Sequence, residues 1–126
     1  MRVILASADD ELVSQVESVE KVTGDNLQIF NDGEGTALDI MSLVCSTNPG
    51  LLIIDDDLTR PESYHLLKSI RKVNRKIKII FITSDDSIEL GRSIMPLEIQ
   101  YYGMKPLKEN ELHDALHSVI QMSHHS

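Results

Sequence analysis

The sequence predicts an α/β fold of (βα)5 type: a doubly wound, five-stranded parallel sheet forming a single domain. Three observations carry that expectation. Five short apolar segments alternate with five helical patterns along 126 residues, and such alternation implies a parallel sheet with helices on both faces. The segment Leu51-Leu52-Ile53-Ile54 is apolar at every position, as a strand buried on both faces requires. It stops abruptly at Asp55, with Asp56 and Asp57 following, and open parallel sheets place their chemistry outside the carboxyl ends of the strands. Two later strand ends add a hydroxyl (Thr83-Ser84) and an ammonium (Lys105, before Pro106). An acid, a hydroxyl and an ammonium, each at the end of a strand, suggest a site for a phosphoryl group.

The elements follow in order. Val3-Ile4-Leu5-Ala6 is the first strand, and Leu12, Val16 and Val19 recur at helical spacing after it. Leu27-Gln28-Ile29-Phe30 is the second, closed by the turn residues Asn31-Asp32-Gly33. A helix near residues 35–46 leads to the Asp55 strand. Tyr64, Leu66, Leu67 and Ile70 mark a helix beginning after Pro61. Residues 77–82 form the fourth strand. A short helix then runs through Ile88, Leu90 and Ile94 and ends at Pro96, with Asp85-Asp86 and Glu89 capping and charging its start. The last strand, Ile99 to Met104, precedes an amphipathic helix carrying Leu107, Leu112, Ala115, Leu116, Val119 and Ile120. The domain is expected to span residues 1–122, with 123–126 a frayed tail whose histidines are not metal ligands.

Composition narrows the function. A domain of this length buries roughly two-thirds of its unfolded surface and needs no staples. Cys45 is the only cysteine; it sits within an apolar helical pattern and reads as a buried thiol. No apolar run approaches the roughly 20 residues of a membrane span, and Met1-Arg2 leads directly into a strand without room for a signal peptide, so the expected location is cytoplasmic. The net charge of −8 argues against gripping nucleic acid directly, because phosphate contacts need Lys and Arg. The basic residues Lys68, Arg71, Lys72, Arg75, Lys76 and Lys78 read as a solvated helix end and loop. No Gly-rich phosphate loop, hydrolase triad or zinc site is present.

Over nearly its full length the chain resembles the receiver domain of two-component response regulators. The block PGLLIIDDDLTRPESYHLLKSIRK resembles that family's third strand and helix. The resemblance puts Asp55 at the phospho-accepting position, Thr83 at the hydroxyl position and Lys105-Pro106 at a Lys-Pro step whose peptide is cis in the family. Tyr102 falls at the aromatic switch position. The resemblance implies Mg²⁺ as cofactor and a histidine kinase or histidine phosphotransfer protein as phosphoryl donor. It also implies a downstream effector protein as partner; many receivers form a homodimer through the fourth-helix face, a question that the unusual residues 85–98 leave open here.

Departures from the family pattern lie at the metal pocket. The family carries an acidic pair after its first strand. Here Ser7-Ala8 hold those positions if the helical spacing Leu12, Val16, Val19 sets the register; Asp9-Asp10 would hold them if the first strand were longer. The helical spacing favours Ser7-Ala8. The Mg²⁺ ligands then reduce to Asp55 and the Asp57 backbone carbonyl, with Asp9 or Asp10 the alternative source from the helix start. The family's proline four residues after the acceptor and glycine eight after it are Thr59 and Ser63 here, and its Gly-Ala pair before the last strand is absent. Two functions compete: a phospho-acceptor with self-catalysed aspartyl phosphorylation and dephosphorylation, and a pseudo-receiver that binds partners without phosphorylation because the acidic pair is missing.

Overall fold

Strand order and burial follow directly from the apolar runs. The computed structural model describes residues 2–19, 26–31 and 36–124. Five parallel strands, β1 (Val3–Ala6), β2 (Leu27–Phe30), β3 (Leu51–Asp55), β4 (Lys78–Thr83) and β5 (Tyr101–Met104), form one sheet in the order β2-β1-β3-β4-β5. The central strands are buried along their length apart from Lys78, whereas the edge strands β2 and β5 keep partial exposure. The helices are α1 (Asp10–Glu17), α2 (Thr36–Thr47), α3 (Asp56–Thr59), α4 (Ser63–Val73), α5 (Ile88–Ile94) and α6 (Glu111–His124). A 3₁₀ turn, Met95–Leu97, follows α5 and contains Pro96.

Strand side chains alternate between the two faces, and two cores result. Val3, Leu5, Leu51, Ile53, Ile80 and Ile82 pack with α1 and α6 through Leu12, Val16, Leu112 and Leu116. Ile4, Leu52, Ile54, Ile79 and Phe81 pack on the other face with Ile40 and Val44 of α2, Leu66, Leu67 and Ile70 of α4, and Ile94 of α5. The doubly wound expectation is met. Because β1 pairs with both β2 and β3, the chain reverses its direction of travel across the sheet between β1 and β3. Such a switch point opens a crevice at the carboxyl ends of those strands.

Some local expectations need correction. Cys45 is exposed. The buried stripe of α2 is Thr36, Ile40 and Val44; residue 45 lies about 100° further round the helix, and Leu38 on that side is 74% exposed. A sixth helix, the single turn α3, begins at Asp56 because Asp55 ends its strand and caps the next element at once. Ser87, rather than Asp85 or Asp86, caps α5 by accepting from the Leu90 amide, while Asp85 accepts from the Ser87 amide. β5 begins at Tyr101, two residues later than the apolar pattern suggests. Asp32 and Gly33 of the turn expected after β2 lie outside the described residues, as do residues 125 and 126 of the expected tail.

Arg71 departs from the solvated basic cluster. Its guanidinium donates to the carbonyls of Leu97 (2.8 Å), Ile77 (2.6 Å) and Glu98 (2.7 Å). Burial pulls its pKa below the ordinary arginine value. It ties the end of α4 to the segment before β5, where Glu98 adopts a φ of 63°.

Replacing Ile53 with Ala in the central strand is expected to cost about 3 kcal/mol, whereas Cys45→Ala changes stability by less than about 0.5 kcal/mol. Urea unfolding of the two variants measures both, and a large loss at Cys45 would return that side chain to the core.

Candidate functional site

The switch-point crevice holds Asp55. Its carboxylate lies at the end of β3, and the residue is 1% exposed. Three donors satisfy it: the Ser7 hydroxyl to Oδ2 at 2.7 Å, the Lys105 ammonium to Oδ2 at 2.9 Å, and the Asp57 amide to Oδ1 at 3.0 Å. The last bond is an N-cap, so the same carboxylate closes a strand and opens α3. Ser7 is fully buried directly after β1, and its hydroxyl also accepts from the Asp9 amide.

Lys105 is the cation of the site. It follows β5, its amide donates to the Thr83 carbonyl at 2.8 Å, and its peptide to Pro106 is cis. Nζ lies 2.9 Å from Asp55, 3.0 Å from Asp9 and 3.1 Å from Asp57. Burial alone would pull the ammonium down, but hydrogen bonds to the three carboxylates outweigh it and hold Lys105 above the usual lysine range. The Lys105 hydrogen bond holds Asp9 below the ordinary carboxylate value. For Asp57, burial pushes upward, while Ser84, Lys105 and Arg60 together bring the carboxylate below its ordinary value.

β1 ends at Ala6, Asp9 caps α1 through the Glu11 and Leu12 amides, and Asp10 is the first residue of the helix. The chain therefore adopts the shorter-strand register, with Ser7 inside and Ala8 exposed. Even so, the Asp9 carboxylate reaches into the site from the cap position. Asp10 is exposed in the first helical turn and makes no such contact.

Thr83 is fully buried beside a second carboxylate. Its hydroxyl donates to Asp56 Oδ2 at 2.7 Å, and no hydrogen bond joins it to Asp55 among the described residues. Asp56, 2% exposed, also accepts from the Ser63 hydroxyl at 2.6 Å and from Arg60 Nη2 at 2.8 Å. Thr59 pairs with Ser63 at 2.6 Å, and Ser84 donates to Asp57 at 2.6 Å. Tyr102 stacks near Phe81, with ring centroids 5.3 Å apart. Its hydroxyl is buried without a hydrogen-bond partner among the described residues, and burial first, then the charges of Asp56 and Asp85, raise its pKa. The structure brings the expected Asp55, Lys105, Asp57 and Asp9 together, with Ser84 joined through Asp57, and sets Thr83 against Asp56; the sequence did not indicate the parts played by Asp56, Ser63 and Arg60. The helical spacing of Asp56 and Arg60, four apart, was the available signal.

Carboxylate oxygens of Asp9, Asp55 and Asp57 converge on one cation, and hard oxygen donors of this kind suit Mg²⁺. Around Lys105 they stand at ammonium distances, about 1 Å longer than Mg–O bonds of 2.0–2.1 Å. Accordingly, no cluster of three or more His, Cys, Asp or Glu has the arrangement of a preformed metal site among the described residues.

The site's charges set a pH dependence. Asp9 and Asp57 have folded pKa values below the ordinary 3.8. Their contribution is therefore complete above about pH 4 and lost as pH falls. Lys105 is shifted the other way, so its contribution is complete below 10.5 and lost as pH rises beyond that. Lys105→Met should cost about 3 kcal/mol at pH 7, because it leaves a buried carboxylate without its cation. The cost should shrink as pH falls below about 4 toward the depressed pKa values of Asp9 and Asp57, where these two partners of Lys105 lose their charge. Urea unfolding at pH 7 and pH 3.5 checks this, and an equal loss at both would refute the charge account.

Comparison with known proteins agrees with this fold. Residues 4–117 match the response regulator receiver domain family. The transcriptional regulatory protein CpxR of Escherichia coli (strain K12) is 27% identical over 99% of this chain. The match covers 51% of CpxR, so the chain spans about half the length of that relative. Among solved structures, the signal receiver domain of an HD domain-containing protein from Pseudomonas fluorescens Pf-5 superposes with a TM-score of 0.79 at 21% identity, covering 99% of this chain and 98% of that one. A DNA-binding response regulator of the LuxR family from Staphylococcus aureus gives 0.73 at 24% identity, covering 94% and 97%. Those two likenesses speak for the fold; the family match speaks for kinship. No described helix is long and apolar enough to cross a membrane. With its acid-and-lysine site at the switch point of a five-stranded parallel sheet, the chain belongs to the response regulator receiver domain family.

Proposed function

We propose that Asp55 is the phospho-acceptor of a phosphorelay and that its phosphorylation switches a protein-interaction face. The single observation that supports this most is the Asp55–Lys105 pair at 2.9 Å in the switch-point crevice. A carboxylate oxygen of Asp55 attacks the phosphorus of a phosphohistidine on a histidine kinase or histidine phosphotransfer protein. The P–N bond breaks, the imidazole leaves with the bonding pair, and an acyl phosphate forms. Hydrolysis of that acyl phosphate by water resets the site. While the acyl phosphate lasts, the Lys105 ammonium faces the phosphoryl oxygens, and the Thr83 hydroxyl supplies a second donor. Such contacts bias a two-state element, here β5 and α5, where Tyr102 is half-buried with its hydroxyl inside and Ile88 and Met104 are exposed. That face would dock a downstream effector or a second copy of the chain.

Receiver domains of this family generally bind Mg²⁺ in an acidic pocket. In this chain Asp55, Asp57 through its carboxylate or backbone carbonyl, and Asp9 would hold it. The metal would supply charge neutralisation of the transferring phosphoryl group. The rival reading, an interaction module without phosphorylation, rests on Ala8 alone. Asp9 answers it by bringing a further carboxylate to the Lys105 centre. The donor kinases act in the cytoplasm, which is the location we infer for this domain.

Asp55→Asn should abolish labelling by acetyl phosphate in the presence of Mg²⁺, read by intact-protein mass; label surviving at full yield would remove Asp55 from this role. Ala8→Asp should tighten Mg²⁺ binding by roughly tenfold by adding an oxygen ligand. Calorimetric titration measures it, and unchanged affinity would mean that position 8 does not face the metal.

A further inference from the structure

Thr83 has one hydroxyl proton, and Asp56 holds it. Thr83 Oγ1 donates to Asp56 Oδ2 at 2.7 Å and accepts from the Asp85 amide at 2.9 Å. A hydroxyl carries a single donor, so in this state it has none left for a phosphoryl oxygen on Asp55. Asp56 is no casual acceptor. It is 2% exposed and gathers four hydrogen bonds: from Thr83, from Ser63, and two from Arg60 at 2.8 and 3.2 Å. Charge-assisted bonds of this kind are roughly twice as strong as neutral ones. Withdrawing one donor from a buried carboxylate is costly.

We infer that Asp56 is a positioning residue that withholds the Thr83 hydroxyl from Asp55 and so sets the threshold of the phospho-switch. This rests on Asp55 being the acceptor. Engaging the phosphoryl group requires Thr83 to leave Asp56, and the strength of that bond then subtracts from the affinity for the phosphorylated state. Ser63 tunes the threshold. Its hydroxyl donates to the other oxygen of Asp56, so with Ser63 present the carboxylate depends less on Thr83.

The two side chains therefore predict opposite effects. Beryllofluoride with Mg²⁺, a mimic of the phosphoryl group, is titrated against the full chain by fluorine NMR. Thr83 is followed in the same samples through its carbon-13-labelled methyl group. Asp56→Asn, which keeps the shape and removes the charge, should bind beryllofluoride roughly tenfold more tightly. Its unliganded Thr83 methyl signal should move toward the fluoride-bound position. Ser63→Ala should bind roughly threefold more weakly. A merely structural role for Asp56 would lower the melting temperature and leave Thr83 unmoved. A folded Asp56→Asn protein that binds no more tightly than the parent overturns the inference while leaving the acceptor reading intact. Where Asp56→Asn fails to fold, Ser63→Ala decides: weaker binding supports the inference, and equal or tighter binding overturns it. Silence of parent and variants alike overturns the acceptor reading and this inference with it.

Discussion

One ammonium makes the carboxyl end of this sheet possible. Parallel strands deliver their ends to the same edge, and here that edge receives Asp9 after β1 and Asp55 and Asp57 around the end of β3. Two unit charges 4 Å apart near a protein surface interact by about 4 kcal/mol, so three gathered carboxylates would repel strongly without a counter-charge. Lys105, delivered by β5, reaches all three within 3.1 Å. It spans the distance from an edge strand back to the switch point. The Asp9 cap and the start of α3 both depend on carboxylates that this cation neutralises. Site and scaffold share the same atoms.

The three consecutive acids do three different things because backbone geometry changes between them. Asp55 is the last strand residue and faces the crevice. The helical turn begins at Asp56, and successive side chains then rotate by about 100°. Asp56 consequently points inward to Thr83 and Ser63, while Asp57, a third exposed at its side chain, swings back to Lys105 and Ser84. The result is two adjoining clusters. One is centred on a cation and suits phosphoryl oxygens or a hard metal. The other is centred on a buried carboxylate and governs a hydroxyl. Lys105 and Thr83 are joined directly by a backbone hydrogen bond, which couples the two clusters at their edges.

The sheet was legible because β1, β3 and β4 are apolar at nearly every position, a pattern that a half-exposed strand does not carry. Asp55 and Lys105 were legible for a related reason: each ends such a run. The register at Ser7 was legible from Leu12 and Val16, whose helical phase leaves no alternative once both are buried. What stayed hidden was long-range pairing of ambiguous residues. Three aspartates in a row look interchangeable on the page, and the partner of the middle one lies 27 residues away at Thr83. Arg71 looked like one more solvated base among six, but the carbonyls it binds at Leu97 and Glu98 belong to a segment 26 and 27 residues on. Cys45 was misplaced because α2 is apolar over too wide an arc for the pattern to fix its buried stripe.

Where the chain departs from the family pattern, the departures come in partnered sets. An aspartate buried at position 56 needs donors, since an unsatisfied buried carboxylate costs several kcal/mol. A glycine at position 63 could supply no side-chain donor; Ser63 does, at 2.6 Å. A proline at position 59 would have no hydroxyl for Ser63; Thr59 does, also at 2.6 Å. Arg60 between them closes the shell with two bonds to the same carboxylate. Asp56, Thr59, Arg60 and Ser63 thus form one unit, and replacing any one alone strands the others. The same logic holds elsewhere. Ala8 forgoes an acid, and Asp9 brings a carboxylate to Lys105 from the next residue. Leu97-Glu98-Ile99-Gln100 stand where the family has its Gly-Ala pair, and Arg71 binds the carbonyls of Leu97 and Glu98. Substitutions that look like erosion of a motif when read singly are, in the folded chain, exchanges of one satisfied arrangement for another.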